Sequence, residues 1–111
     1  MDIWTAASID PEPRRPIVLH SEEGAARIVA INLPAGDELQ EHQVHEHAWL
    51  HVHRGSIEVV ADGTGRRVEA GSLVHWSPAE RHAVRGVEDA LLVLMLAPWP
   101  GPGHPNLRSA G

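Results

Sequence analysis

The stretch "AWLHVHRGSIEVVADGTGRRV" (residues 48–68) decides the fold. From Ala48 to Arg54 the residues alternate, with Leu50 and Val52 on one face and His51 and His53 on the other. Successive side chains of a strand point to opposite faces, so this pattern predicts a half-buried β-strand. "SIEVVA" continues it, placing Ile57 and Val59 on one face. Asp62–Gly65 then supplies the turn residues of a hairpin.

Working outward, "AARIVAINLP" (25–34), "RVEA", "SLVHWS", "HAVR" and "ALLVLMLA" are short runs cut off by Gly, Pro or an acidic pair. Short strands joined by short turns predict an all-β sandwich or barrel. "ALLVLMLA" lacks alternation, which predicts a strand buried on both faces. "SEEGAAR" (21–27) reads as a short helix. "DPEPRRP" places three prolines where neither helix nor sheet tolerates them. Residues 1–16 are therefore read as an arm, 17–98 as the folded body, and the Pro/Gly-rich 99–111 as an extended tail.

A chain of 111 residues builds one core. Its net charge is -6, all nine basic residues are arginine, and they form no basic run. That argues against nucleic acid as a partner, because binding it needs a positive footprint. There is no cysteine, so any metal must use nitrogen and oxygen ligands. "ALLVLMLAPW" is too short to span a bilayer, and the first residues lack the apolar core of a signal peptide. The expectation is a cytoplasmic protein without a membrane partner.

Five of nine histidines crowd into "EHQVHEHAWLHVHRG" (41–55). In a small barrel alternate residues face inward, so histidines on different strands can meet there. Gly36, His42 and Gly55, then Gly71 and His82, stand at the spacings of the two motifs of the cupin superfamily, G-x5-H-x-H-x3,4-E-x6-G and G-x5-P-x-G-x2-H-x3-N. Residues from about 30 to 97 resemble a small single-domain cupin, which implies a jelly-roll β-barrel. The match is degenerate. Val44 stands in the second histidine slot and Ala48 in the glutamate slot. Ser77, Ala79 and Gly86 stand in the Pro, Gly and Asn slots of the second motif.

The resemblance implies an interior divalent metal (Zn, Ni, Cu, Mn or Fe) held by His42 and His82. His45 or His47, in the connection before the strand, would replace the missing ligands. It further implies an oxygenase, isomerase or lyase acting on a small polar molecule, with Glu46 or Glu80 as acid/base candidates. The alternative is a metal-free pocket in a ligand-binding or sensory module. His51 and His53, beside Trp49, are expected to face away from that site. That row is either solvated or the interface of a homodimer, in which case association would weaken as pH falls through the histidine range.

Overall fold

A computed structural model of the protein describes residues 1–42 and 44–105, the side chains of residues 40–42 excepted. Seven strands form one antiparallel sheet: β1 (Ile17–Ser21), β2 (Ala25–Leu33), β3 (Glu38–His42), β4 (His47–Ala61), β5 (Thr64–Glu69), β6 (Leu73–Trp76) and β7 (His82–Trp99). The all-β expectation holds. β4 and β7 are long and change partners along their length. The first half of β4 pairs with β6 and its second half with β5. The first half of β7 pairs with β3 and its second half with β2. The sheet thereby folds into two leaves, β1-β2-β7-β4-β6 and β3-β7-β4-β5, in a jelly-roll arrangement.

The fold-over lies where the β4–β7 register shifts repeatedly, between Val52 and Ile57. Extra residues in one strand bend it and strengthen its twist. Gly55 sits in this bend with φ of 75°. A side chain there would run into the carbonyl of Asp89. The hairpin at the end of β4 closes through Asp62 and Gly63, both with positive φ. That is the two-residue turn whose twist matches its strands.

The core lies between the leaves. Leu33, Ala48, Leu50, Val52, Ile57, Trp76, Val84, Ala90, Leu92 and Leu96 form it. Leu50 and Val52 are buried while His51 is half-buried and His53 exposed, as alternation requires.

Three local expectations need correction. Residues 21–27 are not helical. Gly24 turns the chain with φ of 86°, and Ala25 opens β2, paired with β7. Alanine is a good helix former, but intrinsic propensity is a weak determinant, and the β-branched run behind it takes the segment into the sheet. In β7, Ala90, Leu91 and Leu92 are buried on both faces, but Met95 is exposed. The difference follows the arm. Asn32 lies opposite Leu91, pairs with Pro13, and donates its side-chain N–H to the Pro11 carbonyl at 3.1 Å. Cover on the outer face is thus local. The tail, finally, is not extended at residues 100–104, as described below. No helix among the described residues is long and apolar enough to cross a membrane.

Gly55→Ala adds a clash to an unfavourable φ, so it should cost about 2–4 kcal/mol of stability. Urea denaturation checks this; a midpoint equal to that of the parent protein would show that the bend accepts a side chain.

Candidate functional site

The mouth of the barrel gathers the β3–β4 loop, the start of β7 and the segment after β7. His82 opens β7 and is 3% exposed. Its imidazole lies flat on the Trp76 indole, with centroids 3.9 Å apart and planes 10° apart. Its Nδ1–H donates to the Glu80 carbonyl at 3.2 Å. His42 stands directly opposite His82 in the β3–β7 register. The His42 side chain lies outside the described residues.

The other interior slots hold no ligand. Ala48 is buried in the apolar core and Val44 packs against it. Trp76 pairs across the strands with Ala48 and fills the space beside it.

The loop residues point elsewhere. Glu46 is 1% exposed, and its carboxylate accepts the Gly101 N–H at 2.7 Å. Gly101 is itself buried, and a Cβ on it would strike the His45 carbonyl. The His104 N–H donates to the Gly101 carbonyl at 3.0 Å. The His104 ring meets the edges of Trp99 and His45 at 4.7 and 5.6 Å. Residues 100–104 therefore fold back over the loop, held by a buried carboxylate that composition could not reveal. Glu80 is exposed and accepts the Ser77 N–H at 3.0 Å, so it braces the β6–β7 turn.

His47 turns to the outer face. Its Nδ1 lies 2.9 Å from Nε2 of His75, and the two rings stack 5.1 Å apart with Trp49 alongside. The structure thus pairs His47 with His75 and separates it from His82. His75 escaped the sequence reading because its strand is short. The β4–β6 register, which opposes Trp49 to His75, would have exposed it.

The donor set can be tested against an interior metal. A tight divalent site usually has at least three protein ligands. No three His, Asp or Glu side chains among the described residues are grouped to hold an ion. Two family slots carry alkyl side chains, and His45, Glu46 and His47 are engaged elsewhere. The described residues do not fit the interior metal that the resemblance implies.

A different opening lies along the edge between β5 and β6. It is a groove of about 620 Å³, with Val59, Val68 and Val74 as apolar lining and Arg66, Glu69, Ser72 and His75 among its polar lining. On β5, Arg66 shares the inward face with Val68, which pairs with Ile57 of the core. Arg67 points the other way and bonds Glu69 and Glu88 at 2.7 and 3.1 Å. Arg66 makes no ion pair among the described residues.

No family model matches the chain, and no curated protein sequence does. Solved structures do. An RmlC-like cupin protein of Desulfovibrio desulfuricans is similar with a TM-score of 0.74 and 23% identity, covering 88% of this chain and 96% of that one. KdgF of Halomonas sp. gives a TM-score of 0.72 at 18% identity, covering 87% and 94%. The cupin domain of Schizosaccharomyces pombe Cnp3 gives 0.72 at 18%, covering 84% and 72%. The chain has the cupin fold.

Two outcomes are expected at the mouth. Metal content by elemental analysis of untagged protein should be the same with and without His82→Ala; an ion lost with His82 would place metal inside. Glu46→Ala leaves the buried Gly101 N–H without its acceptor, costing about 1–3 kcal/mol locally. Hydrogen exchange at residues 100–104 should accelerate accordingly, and unchanged exchange would show that the carboxylate does not hold the segment.

Proposed function

We propose that this cupin-fold protein is a ligand-binding module that works without an interior metal, and that its ligand is a small molecule with an apolar body and one anionic group. The observation that carries this reading is the groove between β5 and β6, where an arginine without an ion pair stands over an apolar floor. A guanidinium is always charged and presents a planar fork that matches a carboxylate. Ion pairing in water is weak, but an anchor beside apolar walls gains from the ligand's partial desolvation. Val59, Val68 and Val74 contribute the area that an alkyl or aryl body would bury. Thr64 adds a hydroxyl at the rim.

The groove is wide enough for a small ligand and open along one edge, which suits reversible capture. Ser72 and His75 both line it, but among the described residues no hydrogen bond joins them and His75 bonds His47 instead, so the proposal is binding, without a chemical step. The interior supports the same choice. Among the described residues, Trp76 stacked on His82, with Val44 and Ala48 at ligand slots, assembles no set of metal ligands.

Hexanoate and benzoate serve as probes, with hexanol as the uncharged control. The carboxylates should raise the thermal midpoint in a concentration-dependent way, and hexanol should do so far less. Arg66→Gln should weaken carboxylate binding about tenfold, the value of one charge-assisted hydrogen bond. Equal stabilisation by hexanol and hexanoate, or no effect of Arg66→Gln, would refute the anionic requirement.

A further inference from the structure

The outer face of the β1-β2-β7-β4-β6 leaf carries a second cluster that the groove does not use in full. His47 of β4 and His75 of β6 bring two ring nitrogens to 2.9 Å. Trp49 stacks on His47 at 5.7 Å and leans on His75 at 5.2 Å, which restrains both rings. The His75 ring is exposed and that of His47 half-buried, so solvent ions reach the pair.

Two features set this pair apart from a chance contact. First, the nitrogens nearly have the separation of two ligands on one ion. Zinc–nitrogen bonds of about 2.0–2.1 Å in a tetrahedron put ligand nitrogens about 3.3 Å apart. A few tenths of an ångström of ring movement makes room. The ring that donates the shared hydrogen would shift to its other tautomer, moving that proton to its remote nitrogen.

Second, the register partners that flank the pair on the sheet are uncharged. The register places Met95 beside Trp49 and Ile28 beside Met95. It places Leu73 and Val93 beside His51. No Asp, Glu or Arg occurs among these outward positions, although 22% of the chain is charged. Leu73 is 64% exposed. Beside the pair, Arg66, Arg67 and Glu69 line the opening that Leu73 and His75 also border, so charge of both signs lies there rather than a single-sign field.

We propose that His47 and His75 form half of a divalent transition-metal site, which a second copy of this chain completes across the outer face. Two imidazoles fill half of a tetrahedron, and a two-fold axis through the ion supplies the same two residues again. The result is an all-nitrogen, closed site of the kind that structural zinc occupies. Its ion is a borderline one such as Zn²⁺, for which imidazole is a good ligand and which needs no thiolate. The apolar residues around it, Leu73 and Met95 foremost, would leave water on the same association. The proposal does not rest on the ligand reading of the groove, although Leu73 and His75 also line that opening.

The test is the mass of untagged, full-length protein by sedimentation equilibrium, in EDTA and with half an equivalent of Zn²⁺ per chain. The expected result is a mass of 12.1 kDa in EDTA and a doubling with zinc, saturating at one ion per two chains. His75→Ala and His47→Ala should each abolish the zinc-induced doubling. His53→Ala, an exposed imidazole on the same strand, should retain it. Co²⁺ in place of zinc should give the visible bands of a tetrahedral nitrogen site only in proteins that double. A dimer that forms equally in EDTA, zinc bound at one ion per chain with no change in mass, or doubling that survives His75→Ala would each overturn the proposal.

Discussion

β4 and β7 pair in antiparallel register from His47–Ala97 to Val60–Ala83, and this one ladder crosses from the first leaf to the second. Every other strand hangs on it. β2 and β3 pair with different halves of β7, and β5 and β6 with different halves of β4. The ladder must therefore bend without breaking. The register shifts between Val52 and Ile57 supply the bend, and Gly55 supplies the close approach to Asp89. A side chain at that position would force the strands apart where the two leaves are joined.

The same ladder assigns each residue of the histidine-rich stretch to a face. Ala48, Leu50 and Val52 go to the core, so His47, Trp49 and His51 go outward together. Strand parity leaves no intermediate choice, and a metal cluster of all five histidines is geometrically impossible once Leu50 is buried. Among the described side chains, the histidine that remains inside is His82, held on Trp76 and on the Glu80 carbonyl. An imidazole stacked on an indole contributes apolar contact as well as a hydrogen bond. In this chain the interior histidine is packed as a core residue would be.

Alternation in β4, the Asp62–Gly63 turn and the outward orientation of His51 and His53 were legible because they depend on neighbours in sequence. The spacings from Gly36 to His42 and from Gly71 to His82 were legible through their resemblance to the cupin motifs, which implied that His42 and His82 meet; the two do stand opposite each other. The misreadings share a cause too. Residues 21–27 carry helix formers whose weak preference lost to pairing with β7. The exposure of Met95 depends on where the arm ends, and no local pattern encodes that. The fold-back of residues 100–104 depends on one bond between Glu46 and a glycine 55 residues away. His75 was hard to place because a four-residue strand has too few alternations to establish parity.

β6 is the thinnest element and the most heavily used. Val74 and Trp76 pair with Leu50 and Ala48 on the inner side, while Leu73 and His75 pair with His51 and Trp49 on the outer side. The groove borders the strand along its free edge. Leu73, Val74 and His75 all line that groove, and among the described residues the strand pairs with β4 alone. An edge strand anchored on one side is easier to displace than a central one, because fewer ladder bonds and less buried area hold it. Anything that fixes His75 also fixes the backbone of Val74 next to it. The two proposed sites are chemically independent, since one needs Arg66 and the other needs His47, yet both act on this strand. Restraining β6 from its outer face would lower the entropy that a ligand loses on ordering the groove. That gives a physical reason for the position of the histidine pair, one member of which, His75, itself lines the groove that a ligand would enter.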